Sequence, residues 1–344
     1  GLMSRGLVQE VGYGPSTGGK PPMLLSIAKQ DRNLVGVDLS RSDFRGAILD
    51  LRGNIRHREQ RPLQQRNRKA ALALVYELLD AVMTAADRPV IGIGVCAPGL
   101  IDAVNGVIVQ AVNLDWRDIR LRDLLEARYD VPVYVANDCQ AAALGEYTFG
   151  NSEGIQDLVV ISVEWGIGSG IILGGELFHG NPLGAGEIGH VSVVENGRLC
   201  TCGNRGCLET VATQAAIVRR TRELLQETQA EAGLGDEGNS GFQTVCAMAH
   251  QGHPAANQAV REAARGLGIV AANLAVILGG CHIRLTGQLN CLGEPFLNAI
   301  REEMTGRALT ALSGATEISF ATLGNDIMLS GAAALLLTQE LGVY

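Results

Sequence analysis

Four residues between His190 and Cys207 have the side chains and spacing of a metal site. His190 is followed by Cys200, Cys202 and Cys207 in the run GHVSVVENGRLCTCGNRGC. Three thiolates and one imidazole form the closed tetrahedral set that structural Zn²⁺ prefers. The glycines of the loop let the backbone curl around a small ion. We therefore expect a structural zinc that shapes its surroundings and performs no chemistry.

Other interpretations of these cysteines stay open on spacing alone. A disulfide could join two of the three thiols, although it would leave the third unpaired. A bridge between Cys200 and Cys202 would also strain its own geometry. Ordinary buried thiols are the remaining alternative. We expect the cysteines outside this cluster to be small apolar core residues: Cys96, Cys139, Cys246, Cys281 and Cys291.

Alternating strand and helix patterns predict an α/β framework around this loop. Apolar runs predict strands at 34–39, 45–51, 90–96, 131–138, 158–163 and 168–175, and helical spacing predicts helices at about 63–86, 256–278 and 330–341. The strand at 90–96 ends on the loop APGLID, and the strand at 131–138 ends on Asn137-Asp138. Ligands of open α/β sheets bind at such carboxyl ends of strands.

Composition indicates two core-bearing lobes without a membrane or nucleic-acid signature. The 344 residues, 47% of them hydrophobic, are enough for two cores. Aromatic content of 4% and a formal net charge of -8 argue against a lobe that grips nucleic acid. The basic run at 55–69 is interpreted as a solvated entry to a helix. Because the sequence shows no signal peptide or bilayer-length apolar stretch, we expect a cytoplasmic protein without a membrane role.

Five motifs, in sequence order, resemble the ROK family, whose name joins repressors, open reading frames and kinases. They are APGLID (97–102), VNLDW (112–116), VANDCQAAALGE (135–146), GAGEIGHVSV (184–193) and CTCGNRGCLE (200–209). The resemblance implies an α/β, actin-like (ribonuclease-H-like) two-lobe fold with a sugar between the lobes. It places an N-terminal α/β lobe at 33–138 and a C-terminal α/β lobe with the zinc loop at 139–344, with the option that the last helix returns to the first lobe.

The resemblance also implies a sugar site. A hexose presents hydroxyls that both donate and accept hydrogen bonds, so carboxylates, amides and an imidazole suit it. His190 would hold zinc with one ring nitrogen and face a sugar hydroxyl with the other. Asn137-Asp138 is also typical of a helix N-cap, and the two roles are compatible. The residues at the family's sugar-binding positions are Asn113, Asn137, Asp138, Glu187, His190 and Glu209.

Three phosphate-binding positions of the family's kinases are altered in this chain. Where those kinases resemble Asp-x-Gly-Gly-Thr, this chain has Asp38-Leu39-Ser40-Arg41-Ser42, and Glu164-Trp165-Gly166-Ile167-Gly168 replaces their Gly-Thr-Gly turn. The third glycine pair reads Thr286-Gly287 and ends an unusually polar strand. Because backbone amides of glycine turns are the usual phosphate cradle, we expect no nucleotide-binding residues. Asp138, at the position of the family's catalytic base, keeps a kinase alternative open.

Residues 1–32 resemble the wing hairpin of the winged helix-turn-helix in ROK repressors. The segment GLVQEVGYGPSTGGKPPMLLSIAK contains the Ser/Thr-Gly-Gly-Arg/Lys-Pro-Pro turn of those repressors, which the family's kinases lack. We interpret it as a wing remnant without most of the preceding helix-turn-helix, and we expect Lys20 to lie near a DNA backbone. An ordinary β-hairpin extension of the first lobe is the alternative.

Three functions are consistent with these patterns. The favoured one is a sugar-responsive ROK transcriptional regulator of the N-acetylglucosamine- and xylose-repressor type, represented by its effector-binding and oligomerisation region. Its partners would be a monosaccharide or sugar-phosphate effector, structural Zn²⁺, operator DNA and further copies in a homodimer or homotetramer. The second is a sugar kinase of glucokinase or N-acetylhexosamine-kinase type that uses ATP and Mg²⁺, with Asp138 as base. The third is a catalytically silent sugar-binding protein. Under the favoured function the chain is not an enzyme.

Overall fold

The chain divides into two compact units in a computed structural model. The structure describes residues 3, 8–15, 18–27, 32–40, 42–64, 67–180, 184–228, 234 and 239–342. Unit 1 extends to Ser152 and resumes at Asn325, and unit 2 extends from Glu153 to Gly324. The division separates the predicted strands at 34–138 from those at 158–175.

An antiparallel hairpin forms near the N-terminus, where the sequence predicts one. Strand β1 (Val8–Tyr13) pairs with β2 (Met23–Ile27). Gly14 donates its amide to the Pro22 carbonyl at 2.8 Å, which continues the pairing toward the turn. Residues 16–17 of the turn and residues 28–31 after β2 lie outside the described part of the chain. The assignment of this hairpin as a wing stays a prediction.

Strands and helices alternate in unit 1 after the hairpin. In chain order they are β3 (Asn33–Leu39), β4 (Asp43–Leu49), β5 (Ile55–Pro62), α1 (Arg68–Ala85), β6 (Val90–Ala97), β7 (Leu100–Asp102), β8 (Val107–Ala111), β9 (Trp116–Ile119), α2 (Leu121–Tyr129), β10 (Val133–Asn137) and α3 (Asp138–Phe149). The main sheet has the order β10-β6-β3-β4-β5, and β7-β8-β9 form a smaller sheet. Helix α1 begins later than predicted because β5 continues the sheet to Pro62.

Unit 2 contains a second mixed sheet and the helices from α4 to α9. Its elements are β11 (Leu158–Val163), β12 (Ile167–Leu173), β13 (Glu176–Leu177), α4 (Glu209–Ala212), α5 (Gln214–Glu227), α6 (Asn239–His250), α7 (Pro254–Leu278), β14 (His282–Gly287), α8 (Gly293–Thr305), α9 (Thr310–Gly314) and β15 (Glu317–Phe320). The sheet has the order β13-β12-β11-β14-β15. The last helix, α10 (Ile327–Leu341), belongs to unit 1. None of the described helices is long and apolar enough to cross a membrane.

The burial of the unit 1 strands follows their sequence patterns. Strand β3 is buried along its whole length, as expected of a continuous apolar run in the centre of a sheet. Strand β5 alternates between partly buried and exposed residues, as an edge strand with one solvated face does. Helix α1 packs its apolar stripe, including Leu74, Val75 and Leu78, into the same core.

Helix α10 approaches the main sheet of unit 1 so closely that the facing strand positions must be glycine. A Cβ atom at Gly94 on β6 would lie 1.8 Å from the carbonyl oxygen of Ala332. A Cβ atom at Gly36 on β3 would lie 2.6 Å from the carbonyl oxygen of Leu329. Side chains at these two positions would force the helix away from the sheet.

Helix α3 packs on α10 with equally little space. A Cβ atom at Gly331 would lie 2.1 Å from the carbonyl oxygen of Ala141. This contact holds α3 in unit 1, so the unit boundary follows Ser152 rather than Asp138, the position expected from the sequence. The last helix also lies in unit 1, as the resemblance to the ROK family allows.

The polar residues of strand β14 face the neighbouring edge strand, where Arg284 forms an ion pair. Arg284 donates to Glu317 of β15 at 3.0 Å, and Nδ1 of His282 lies 3.5 Å from the same carboxylate. On the other face of the sheet, Val159 and Ile283 pack into the core of unit 2 with helices α5 to α8. The polar residues of the strand therefore stabilise pairing with β15, while its apolar residues fill the core.

Gly94→Ala is expected to lower the free energy of unfolding of unit 1 by about 2 kcal/mol or more, because the added methyl group overlaps the Ala332 carbonyl. Urea unfolding measures this through Trp116 fluorescence, after Trp165→Phe has removed the tryptophan of unit 2. Gly19→Ala is the control, since nothing lies within 4 Å of a Cβ atom there. Equal stability of the two variants would contradict the close packing of α10.

Candidate functional site

The four predicted metal ligands lie together in unit 2. One ligand atom from each of His190, Cys200, Cys202 and Cys207 lies within 4.8 Å of the others. The Sγ atoms of Cys202 and Cys207 are 3.7 Å apart, and Sγ of Cys200 is 3.7 Å from Nδ1 of His190. Tetrahedral coordination with Zn–S distances of about 2.3 Å places ligand atoms about 3.8 Å apart. The three cysteines are free thiols, so the donor set and its spacing fit zinc.

The loop that carries the thiols is folded on itself by backbone contacts. Ser192 and Cys207 form an isolated antiparallel bridge. Gly206 has a φ of +72°, and a Cβ atom there would lie 1.8 Å from the carbonyl oxygen of Val194. A glycine at this position therefore allows the two sides of the loop to meet and brings the last thiol back toward His190.

The preceding segment, GEIGH at 186–190, lies directly on strand β12. Ser169 donates its amide to the Gly186 carbonyl at 2.8 Å, and its hydroxyl donates to the same oxygen at 3.1 Å. A Cβ atom at Gly189 would lie 2.2 Å from the carbonyl oxygen of Ile167. These contacts fix the two predicted sugar-binding residues of the segment beside β12.

Two carboxylates flank the imidazole of His190 on different sides. Oε2 of Glu209 lies 4.0 Å from Nδ1, and Oε2 of Glu187 lies 3.9 Å from Nε2. Oε1 of Glu209 accepts the backbone amide of Ile167 at 2.8 Å. Nδ1 thus faces the thiols, whereas Nε2 faces Glu187, whose side chain is 55% exposed. The three predicted sugar-binding residues of unit 2 therefore form one group with an accessible side.

Asn113 of unit 1 carries a buried amide group whose bonding is incomplete. Its Nδ2 atom has no hydrogen-bond partner among the described residues. The residue lies in a short 3₁₀ turn, Val112–Leu114, directly after β8. A buried donor without a partner is unfavourable by roughly 1–3 kcal/mol. A ligand hydroxyl at this position would remove that cost.

Asn137 serves as the N-cap of α3. Its Oδ1 accepts the amides of Cys139 at 2.9 Å and Gln140 at 3.3 Å. Its Nδ2 donates to the Gly99 carbonyl at 3.1 Å, which ties the APGLID loop to the start of the helix. The N-cap interpretation of the sequence is therefore correct for Asn137, and its amide holds two parts of unit 1 together.

Asp138 is the first residue of α3 and is partly buried. Its Oδ1 accepts the Cys139 amide at 2.8 Å. Burial raises the pKa of the nearby Cys96 thiol well above its ordinary value, and the charges of Asp38 and Asp138 raise it further. Cys96 is therefore a neutral thiol at neutral pH and no nucleophile.

The first altered phosphate position holds an internal ion pair. Oδ2 of the buried Asp38 accepts the Ser40 hydroxyl at 2.7 Å and Nη2 of Arg45 at 2.5 Å. Arg45 also donates to the Asn325 carbonyl at 2.9 Å. Burial raises the pKa of the Asp38 carboxyl, and the Arg45 guanidinium opposes the rise. Arg41 lies outside the described residues. The carboxylate that begins this loop is thus bound within unit 1.

The second and third altered positions pack against each other in unit 2. Between β11 and β12, Glu164 donates its amide to the Gly166 carbonyl at 3.0 Å, and Trp165 is 53% exposed. Gly287 has a φ of +100°, and a Cβ atom there would lie 2.2 Å from the carbonyl oxygen of Val163. The end of β14 therefore lies against the start of the β11–β12 turn.

Two anchoring contacts of the site were not predicted from the sequence. Asp38 and Arg45 are opposite each other on β3 and β4. Because they carry opposite charges at the same distance from the intervening turn, the sequence contained a signal from which their ion pair could have been predicted. The contact between Ser169 and Gly186 leaves no comparable pattern, because a small polar residue in a strand has no distinctive spacing.

The purified protein is expected to contain about one zinc ion per chain, and Cys202→Ser to lose most of it, because the closed site needs all four ligands. Elemental analysis after gel filtration measures the metal content. Cys139→Ser makes the same chemical change outside the cluster and should keep its zinc. A metal-free wild type, or full zinc in Cys202→Ser, would show that these residues are not a zinc site.

Comparison with known proteins places both regulators and kinases among the relatives of the chain. The model of the ROK family matches residues 34–339. The xylose repressor of Caldicellulosiruptor bescii is 30% identical over 346 residues, covering 99% of this chain and 87% of that protein. The glucokinase of Halalkalibacterium halodurans is 35% identical over 318 residues, covering 90% of this chain and 96% of that protein.

A solved structure of a ROK family transcriptional regulator, a homolog of the E. coli MLC protein, is similar along nearly the whole chain. It has a TM-score of 0.86 and 25% sequence identity, and the match covers 97% of this chain and 85% of that chain. The predicted α/β, actin-like (ribonuclease-H-like) fold is thereby confirmed. With the family model matching most of its length, this chain belongs to the ROK family.

Proposed function

We propose that this chain is the effector-binding and oligomerisation region of a sugar-responsive ROK transcriptional regulator. One contrast carries the proposal. Glu187 and Glu209 converge on His190, as sugar binding requires, whereas the carboxylate that begins the first phosphate loop is bound to Arg45. A sensor must bind the sugar and has no need to hold a nucleotide.

The proposed effector is a monosaccharide or a sugar phosphate. Carboxylates accept hydrogen bonds from sugar hydroxyls, and an amide or imidazole N–H donates to their oxygens. Glu187 and His190 offer these groups in unit 2, and Nδ2 of Asn113, which has no partner in the described part of the chain, offers a donor in unit 1. From the family pattern we also assign sugar binding to Asn137 and Asp138 of unit 1 and to Glu209 of unit 2.

Zinc would be held by His190, Cys200, Cys202 and Cys207. The set is closed, with no ligand position left for substrate or water, so the ion would stabilise the loop without taking part in chemistry. Coordination through Nδ1 would fix the ring of His190 and leave Nε2 toward Glu187. The ion would therefore orient the imidazole for the sugar.

A sugar kinase is the second candidate function. It is supported by Asp138 at the position of the family's catalytic base and by the 35% identity to a glucokinase. In that case Asp138 would accept the proton of the attacking sugar hydroxyl, and ATP with Mg²⁺ would be the co-substrate. Ser40 opposes this function because it stands where a glycine amide cradles phosphates in the family's kinases, and Trp165 would place a bulky ring near those phosphates.

In the proposed regulator, sugar binding would change the affinity of the protein for operator DNA, because the two binding equilibria are thermodynamically linked. A sugar that prefers one arrangement of the protein shifts the population toward it, and DNA affinity changes only if that arrangement binds DNA differently. The β1–β2 hairpin would be the wing of the DNA-binding domain, with Lys20 near the phosphates. We also propose that the protein forms a homodimer or homotetramer and acts in the cytoplasm.

Thermal unfolding of the zinc-loaded protein against a panel of monosaccharides tests the proposed function. At least one sugar should raise the Tm, because binding to the native state stabilises it. Repeating the measurement with Mg-ATP while ADP is recorded should show no sugar-dependent ADP release. ADP release that Asp138→Ala abolishes would instead establish the kinase.

Glu187→Gln is expected to raise the Kd of the best sugar by roughly tenfold or more, because a charged hydrogen bond is lost. Its Tm without sugar should stay close to that of the wild type, since the side chain is half exposed. Glu195→Gln, an exposed position of the same loop, is the matched control and should bind normally. Isothermal titration calorimetry gives both constants, and equal affinity of the two variants would remove Glu187 from the site.

A further inference from the structure

Two cysteines outside the metal cluster are joined in unit 2. Cys246 lies on α6, and Cys291 lies in the 3₁₀ segment Gln288–Leu292 that follows β14. The structure links their sulfurs, and their Cα atoms are 6.1 Å apart, a distance that a disulfide spans without backbone movement. The expectation that both are plain apolar core residues is wrong for this pair.

We propose that Cys246 and Cys291 form a reversible thiol–disulfide site that exchanges with small-molecule disulfides such as oxidised glutathione. The two residues are 45 positions apart in the sequence, so the fold of unit 2 brings them together. Protein thiols in reducing compartments are kept reduced, and such a pair closes when the ratio of disulfide to thiol rises. This site does not depend on the proposed sugar function.

The exposure of the two thiols sets the order of the exchange. Cys291 is partly buried, whereas Cys246 is 3% exposed. The Cys291 thiolate attacks the small disulfide, forms a mixed disulfide and releases one small thiolate. The Cys246 thiolate then attacks the Cys291 sulfur and releases the second. The protein pair loses two electrons and two protons, and the small disulfide gains them to become two thiols.

Two further buried thiols are poor competitors for this reaction. Burial raises the pKa of Cys281 to about 11. Cys96 is fully buried, with a pKa well above its ordinary value. The thiolate is the reacting form, so both cysteines are almost entirely unreactive at neutral pH. The thiols of the metal cluster would be held by zinc.

The disulfide joins α6 to the segment that follows β14, and the last residue of β14 lies against the end of β11. Gly287 lies against Val163, and the 3₁₀ segment that follows it buries Leu289 and Leu292 in the core of unit 2. Gln243 of α6 also donates to Gln288 at 3.4 Å. A covalent bond here would restrict α6 and this segment together and would constrain the unfolded chain. The oxidised protein should therefore have the higher Tm.

The test uses the zinc-loaded full chain, reduced and then incubated with oxidised glutathione. Alkylation of the remaining thiols and peptide mapping without reduction should recover a peptide that links Cys246 to Cys291. Cys246→Ser should instead accumulate a glutathione adduct on Cys291, whereas Cys291→Ser should give no adduct on the buried Cys246. Absence of the linked peptide, or an adduct on Cys246 in Cys291→Ser, would overturn the proposal.

A second readout separates the disulfide from any loss of zinc during reduction. Reductant should lower the Tm of the oxidised wild type by several degrees and should leave the double variant Cys246→Ser, Cys291→Ser almost unchanged. Zinc content is measured in each sample. A Tm change of equal size in the wild type and the double variant would show that the reductant acts elsewhere.

Discussion

The meeting of three thiols and one imidazole between His190 and Cys207 is the constraint on which the arrangement of Glu187, His190 and Glu209 in unit 2 depends. In the described chain from 184 to 208, regular structure is limited to one short 3₁₀ turn and two isolated bridges. A metal cross-link would supply what helices and strands supply elsewhere, because it lowers the conformational freedom of the loop. Under the proposed function, the sugar then meets side chains that are already oriented.

Glu209 connects this metal loop to the β11–β12 turn. One carboxylate oxygen accepts the Ile167 amide, and the other lies 4.0 Å from Nδ1 of His190. The β11–β12 turn is therefore bound to a side chain that the proposed function assigns to the sugar. In the proposed regulator, a sugar that binds Glu209 would change the position of this turn without any nucleotide. This requires that two arrangements of the turn differ in their affinity for the sugar.

The sequence predicts local features of this protein better than contacts between distant segments. The Cys/His spacing predicts four side chains that the structure brings together, and the apolar run at 34–39 predicts a strand that is fully buried. The position of α3 in unit 1 depends on its packing with α10, which no local pattern reports. The link between Cys246 and Cys291 is hidden for the same reason, since it joins residues far apart in the chain.

The most direct measurement is the affinity of the best sugar by calorimetry for one protein sample in three states: zinc-loaded, stripped by chelator, and reloaded with zinc. Stripping is expected to weaken binding by at least tenfold and reloading to restore it, because the metal would hold the imidazole and the loop in place. Equal affinity in the zinc-loaded and stripped states, with the chain still folded, would contradict the claim that the metal cluster organises the sugar site.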